Sequence, residues 1–207
     1  MKFLHNIVQK SPEWYALRLK YPLTASHAQA IGNQGKGLET LCWKKLSEKY
    51  SSAEVEQLTN KHLARGVELE PQAISLYELE TGQEVTTVGF ITNEEISALG
   101  GASPDGLVGV DEGGIEIKSF DDLKHFEMIA EKKTTGTFTV ESGYLWQMQQ
   151  EMLFADLKWI DFVAYNPNYK ESLLIKRHFP DEVMREKLRV GLKIGEKLIE
   201  SIENKLK

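Results

Sequence analysis

The sequence predicts an α/β (α+β) fold in which helices come first, a β-rich middle follows and a long helix ends the chain. Three observations carry this. Leu69, Ala73, Leu76 and Tyr77 recur at i, i+4, i+7 and i+8, the spacing of one apolar helix face. The middle of the chain breaks into short strand-like segments, and in Ile115-Glu116-Ile117-Lys118 apolar and charged residues alternate with the period of a strand. From Met184 through Leu188, Leu192, Ile199 and Ile202 to Leu206, apolar residues again fall on one helical face. With 207 residues, 41% of them hydrophobic, and no internal repeat or low-complexity linker, a single domain over 1–207 is expected.

Taken in order, Thr24 to Ile31 and Leu38 to Lys49 read as helices, with Thr24 or Ser26 as caps. The glycine-rich stretch Gly32 to Gly37 between them reads as a flexible loop. It resembles a phosphate-binding loop only superficially, since the spacing and the Ser/Thr after the lysine are missing. Lys61 to Glu80 reads as a helix that either begins near Leu69 or bends at Pro71, because proline has no N–H to donate. Strands are expected at Val85 to Thr92, Ser97 to Ala102, Trp159 to Tyr165 and Ser172 to Phe179. Between them, Gly143 to Phe154 turns Leu145, Met148, Met152 and Leu153 to a core, while Gln147, Gln150 and Glu151 line another side. Asp111-Glu112-Gly113-Gly114 is a strong turn signal, so Gly106 to Val110 and Ile115 to Ser119 should pair as a hairpin.

Composition narrows the function classes. The single cysteine, Cys42, excludes an intrachain disulfide, a cysteine-based zinc site and a four-cysteine iron-sulfur cluster, and it suits a reducing compartment as a core residue. No run of about twenty apolar residues exists, and Met1 to Trp14 lacks the apolar stretch of a signal peptide, so a cytoplasmic protein without a membrane partner is expected. A net charge of −6 argues against a generic nucleic-acid coat but not against a nuclease, whose metal-binding carboxylates add negative charge.

The hairpin concentrates the chemistry. It brings Ser103-Pro104-Asp105-Gly106 beside Glu116-Ile117-Lys118, and period-two geometry sends Glu116 and Lys118 to the same face. Two interpretations of that face stand open: an ordinary strand wetted on its charged side, or a cleft in which Asp105 and Glu116 hold Mg²⁺ beside a phosphodiester. Mg²⁺ commonly takes only one or two protein carboxylates and keeps several waters, and a lysine beside it could hold the attacking water. Glu70, at the irregularity made by Pro71, reads either as a surface helix acid or as a site acid.

Together these residues resemble the phage-lambda-type exonucleases, the YqaJ-like viral recombinase family within the PD-(D/E)xK nuclease superfamily. The resemblance spans nearly the whole chain and keeps the family's order: Trp14-Tyr15-Ala16-Leu17-Arg18-Leu19, Thr24-Ala25-Ser26, Arg65-Gly66 through Glu70, Ser103-Pro104-Asp105-Gly106, Glu116-Ile117-Lys118 and Gln147-Met148-Gln149. It implies a restriction-endonuclease-like core, a central mixed β-sheet flanked by helices. Asp105, Glu116 and the carbonyl of Ile117 would hold a first Mg²⁺ and Glu70 would support a second, Mn²⁺ being able to substitute, with Glu68 as the reserve acid. Lys118 would orient the water, and Gln147, with Tyr144 one turn before it, would lie near the scissile phosphate.

The same resemblance assigns Arg18, Ser26 and Ser103 to a 5′-phosphate, with Lys124 where the family typically has an arginine; a lysine keeps the charge and loses the bidentate fork. The implied activity is Mg²⁺-dependent 5′-3′ degradation of one strand of linear duplex DNA to mononucleotides, leaving 3′ tails for recombination. A homotrimeric ring, a single-strand annealing recombinase as partner, and a phage or prophage gene expressed in a bacterial host are implied with it. An endonuclease or single-strand nuclease of the same core, and a catalytically silent DNA-binding scaffold, are the alternatives.

Overall fold

A computed structural model describes residues 1–51, 61–110 and 112–206. In chain order its elements are β1 (Lys2–Leu4), α1 (Pro12–Lys20), β2 (Leu23–Thr24), a 3-10 turn (Ala25–His27), α2 (Ala28–Asn33), α3 (Gly35–Tyr50) and α4 (Lys61–Thr81). There follow β3 (Val85–Thr86), β4 (Phe90–Thr92), β5 (Gly100–Gly101), β6 (Gly106–Val108), β7 (Gly113–Ser119), α5 (Asp122–Thr135), α6 (Ser142–Ala155), β8 (Trp159–Tyr165), β9 (Leu173–His178) and α7 (Glu182–Asn204).

The central sheet has the order β3-β6-β7-β8-β9. β7 and β8 run parallel, joined through α5 and α6, and the other neighbours are antiparallel, so the sheet is mixed. Helices cover both faces. On one, Leu69, Ala73 and Tyr77 of α4 pack on Val108, Ile115, Ile117, Val163 and Tyr165. On the other, α2, α3, α6 and α7 enclose a larger core that includes Leu107, Ile160, Phe162, Ala164 and Leu174. The alternation of Ile115/Ile117 against Glu116/Lys118 therefore separates two cores, and β7 is buried on both faces up to Ile117, with Lys118 partly exposed at its end.

α4 is fastened to the sheet by more than apolar contact. Tyr77 donates its hydroxyl hydrogen to the buried Asp161 on β8 at 2.8 Å, and Arg177 on β9 clasps the same carboxylate with two bonds of 2.8 Å. The guanidinium also stacks 3.6 Å from the Trp159 ring centroid. A buried carboxylate needs such partners, since burial without them costs several kcal/mol.

Several elements differ from the sequence expectation. Thr24 to Ile31 is not one helix: Leu23–Thr24 pairs in parallel with β5, and the helical part starts at Ala25. Neither proposed cap acts as one, because the Ser26 hydroxyl is taken by Arg18 at 2.6 Å. Gly32 to Gly37 is no loop either. α2 and α3 are separated by Gln34 alone, at φ 60, and Gly32 is small because a Cβ there would meet the Trp146 ring at 2.2 Å.

Val85 to Thr92 breaks in two, β3 joining the central sheet and β4 pairing with β1. The break falls near Gly89, where a Cβ would lie 2.0 Å from the carbonyl oxygen of Ile7. Of Ser97 to Ala102 only Gly100–Gly101 is strand. The hairpin forms with its turn earlier than expected. Gly109 and Val110 take φ 64 and 50, Gly113-Gly114 lie within β7, and Asp111 is outside the described residues. Gly113 is needed for close approach, since a Cβ would strike the Trp159 indole at 2.2 Å. The helix over Lys61–Thr81 runs through Pro71. β1, α1 and α5 lie outside the elements read from the sequence.

α7 contacts α2 through Gly191, where a Cβ would sit 1.9 Å from the backbone oxygen of Ile31. Backbone cannot yield as a flexible side chain does. Gly191→Ala is expected to destabilise the protein by about 1–3 kcal/mol, read by chemical denaturation, despite alanine's better helix propensity.

Candidate active site

β6 begins at Gly106, one residue after Asp105, and that boundary shapes the site. The Asp105 N–H still donates to Ile115 O at 3.1 Å, but the strand bonds stop there. The next group on that side of β7, the Ile117 N–H, donates instead to Asp105 Oδ2 at 2.7 Å. A carboxylate thus stands where a strand partner would have been. N–H and C=O of one strand residue point the same way, so the Ile117 carbonyl also faces the Asp105 side.

Glu116 is 1% exposed. Its Oε1 accepts from Lys118 Nζ in a short ion pair and from Gln147 Nε2 at 2.7 Å, while its Oε2 is buried without a partner. Gln147 Nε2 also donates to Glu151 Oε1 at 2.9 Å, one turn further along α6, and Glu151 Oε2 is unpartnered too. Lys118 lies 5.2 Å from the Tyr144 ring centroid, whose face favours a cation.

Burial raises Asp105 well above the ordinary carboxylate range, with Glu116 and Glu70 adding repulsion against the relief from Lys118. Burial also raises Glu151, with Glu116 and Asp105 adding to it. For Lys118 burial acts in the opposite direction, but Glu116 and Asp105 hold the ammonium above the usual lysine range. The lysine is therefore a fixed cation and not a free base.

On α4, Glu70 faces this group and Glu68 is exposed. Glu70 Oε2 pairs with Lys10 Nζ at 2.7 Å. Arg18, Ser26 and Ser103 form a second cluster joined through Trp14. The Trp14 Nε1–H donates to Ser103 Oγ at 3.1 Å, the Arg18 guanidinium lies 4.5 Å from the Trp14 ring centroid, and Arg18 Nη2 donates to Ser26 Oγ at 2.6 Å. Burial lowers Arg18 to about 10. The Ser103-Pro104-Asp105 backbone links the two clusters. Lys124 does not join the Arg18 group; it pairs with Glu141 at 3.3 Å at the start of α5.

Two members were missing from the sequence expectation as site residues. Glu151 gives a signal only as one acid beside Gln147 and Gln150, on the side of α6 away from the Leu and Met face. Lys10 gives none, because its partner lies 60 residues away.

Among the described residues, no three His, Cys, Asp or Glu side chains are gathered closely enough to hold an ion by themselves. The donor set nevertheless fits a hard divalent cation such as Mg²⁺, which takes oxygen ligands and commonly only one or two protein carboxylates: Asp105, Glu116 with its unpartnered oxygen, and the Ile117 carbonyl offer such oxygens.

A family model described as a YqaJ-like viral recombinase domain matches residues 13–158. No curated protein matches by sequence. Among solved structures, an alkaline exonuclease from Laribacter hongkongensis superposes with a TM-score of 0.74 at 32% identity, over 95% of this chain and 98% of that one. Its complex with dAMP gives the same TM-score and coverage at 31% identity. A phage-related exonuclease from Haemophilus somnus 129PT, 17% identical, shares the fold with a TM-score of 0.67 over 89% of this chain and 96% of that one.

The buried Glu151, with its Oε2 unpartnered, gives a pH-dependent expectation. Its folded-state pKa lies above the unfolded value of 4.5, so the native protein without metal loses stability as pH rises from 4.5 through the raised value. A glutamine there stays neutral and can still accept from Gln147. Glu151→Gln is expected to raise metal-free stability by about 1–3 kcal/mol at pH 8, and the gain should vanish by pH 4, as followed by thermal melts.

Proposed function

The chain belongs to the YqaJ-like viral recombinase domain family, and from that premise we propose that it is a Mg²⁺-dependent DNA exonuclease that degrades one strand of linear duplex from a 5′-phosphorylated end. The observation that carries the proposal is a pair of clusters that meet two residues apart in the chain, at Ser103 and Asp105: Arg18, Ser26 and Ser103 on one side, Asp105, Glu116, Lys118 and Gln147 on the other. One suits a terminal phosphate, the other hydrolysis. The dAMP bound to the Laribacter hongkongensis enzyme supports a deoxynucleotide as the product class.

When bound, divalent ions held by Asp105, Glu116 and the Ile117 carbonyl, with Glu70 supporting a second, would polarise the phosphodiester and acidify the attacking water. Lys118, kept protonated by its two acidic neighbours, donates a hydrogen bond toward the nucleophile and opposes charge growing on the phosphoryl oxygens. Gln147 holds Glu116 from the α6 side, so the carboxylate keeps one orientation. Water adds to phosphorus, the bond to the 3′ oxygen breaks, and that oxygen leaves with a proton. The mononucleotide departs with its own 5′-phosphate, and the next nucleotide keeps a new one. Each turnover therefore regenerates the end that Arg18 and Ser26 suit.

A homotrimeric ring around the duplex and an annealing protein on the 3′ tail belong to the same proposal. Val183, Val190 and Ile194 supply exposed apolar surface along one face of α7 that supports assembly.

Incubated with Mg²⁺, the protein is expected to shorten a linear 5′-phosphorylated duplex and to spare closed circular DNA; an untouched linear substrate, or a cut circle, refutes the exonuclease reading. Asp105→Ala or Lys118→Ala should lower turnover by about a thousandfold or more while gel-shift binding persists, and near-normal turnover in either would remove these residues from the chemistry. Arg18→Ala should chiefly erase the rate preference for 5′-phosphate over 5′-hydroxyl ends.

A further inference from the structure

We propose that Lys10 is an internal counter-cation that occupies Glu70 in the DNA-free protein and restricts it to one tightly held divalent ion, the second entering when substrate draws the lysine away. The inference rests on the metal-dependent nuclease reading above.

Lys10 sits in the left-handed region at φ 67, an unusual backbone for a residue with a Cβ. Such a conformation persists only where its surroundings fix it. Here the preceding residue does so: Gln9 Nε2 donates to both the Val88 and the Pro104 carbonyls, each at 2.9 Å. Pro104 immediately precedes Asp105, so the loop carrying Lys10 is tied to the backbone of the site. On its other side, Ser11 caps α1 by accepting from the Trp14 N–H. From this fixed stem the ammonium reaches Glu70 Oε2 at 2.7 Å.

Charge gives the contact its meaning. Glu70, Asp105, Glu116 and Glu151 form one acidic neighbourhood, since Glu70 and Glu116 repel Asp105 and Asp105 repels Glu151. Lys118 and Lys10 are the ammonium groups that pair within it. Four acidic side chains face two ammoniums, and losing the Lys10 ammonium leaves Glu70 as a further oxygen ligand for a second ion. Glu116 Oε2 is buried and keeps no partner, while Glu70 Oε2 is taken by Lys10. The Lys10 pair is partly open to water, 30% and 24% exposed at its two side chains, so it exchanges readily. An incoming phosphodiester offers the ammonium another anion and leaves Glu70 free.

The test is isothermal titration of the DNA-free protein with Mn²⁺. Wild type should show one strong site. Lys10→Met keeps the aliphatic stem and loses the charge, and should bind a second Mn²⁺ about tenfold or more tighter than wild type does; Lys10→Gly, which also relieves the backbone, should behave alike. Adding Glu70→Gln to Lys10→Met should return the isotherm to one site. Identical stoichiometry and affinities in wild type, Lys10→Met and Lys10→Gly overturn the proposal. Asp105→Asn separates that result from failure of the underlying reading. If it abolishes Mn²⁺ binding while the Lys10 variants are silent, only the role of Lys10 falls; if Mn²⁺ binds Asp105→Asn as it binds wild type, the metal site itself is misassigned.

Discussion

A strand buried on both faces that nevertheless carries two charged side chains is the constraint around which this molecule is organised. β7 sits between two cores, so Glu116 cannot be hydrated as a surface residue is, and Lys118 reaches water only in part. Burying a carboxylate is tolerable only with partners of matching charge and geometry. The fold provides them in layers: Lys118 from the same strand, Gln147 from α6, and Asp105 across the end of the hairpin. The provision is incomplete, because Glu116 and Glu151 each keep an oxygen without a partner. A fold that buries this much like charge leaves the space to a cation or to water.

The two clusters use different physical devices. Around Asp105 and Glu116 the device is low-dielectric burial, which strengthens every electrostatic contact. Around Arg18 it is an aromatic platform. Trp14 uses both its ring face and its N–H, holding a guanidinium by the first and Ser103 by the second. The same indole N–H reaches the Gly89 carbonyl at 3.1 Å, close to where the expected Val85 to Thr92 strand divides. The irregularity of that segment is thus part of how Trp14, and with it Arg18 and Ser103, is placed.

Legibility from sequence followed the range of the interactions involved. The period-two pattern of Ile115 to Lys118 is local and marked both the strand and the sharing of a face by Glu116 and Lys118. β8 coincides with the expected Trp159 to Tyr165 for the same reason. Glycines misled, because one residue type serves two purposes. Gly32 and Gly113 read as breakers but exist to admit the rings of Trp146 and Trp159. That is a tertiary demand with no local signature. Glu68 and Glu70 share one turn of α4 and differ in the face they take, Glu68 being exposed and Glu70 lying near Asp105, a distinction that the sequence suggested only through its ordered motifs. The contact of Lys10 with Glu70 depends on a loop anchored by Gln9 to distant carbonyls, and nothing within that loop announces it.

Pro71 has a mechanical consequence. Lacking an N–H, it leaves the carbonyl of residue 67 without its helical partner, so α4 is weakest in bending at the turn that carries Glu70. Beyond that point Ala73 and Tyr77 are buried against the sheet, and Tyr77 is moored to Asp161. A residue next to a pivot is displaced least when the arm beyond it swings. Glu70 thus sits at the fulcrum, where bending of the earlier turns of α4 hardly alters its distance from Asp105.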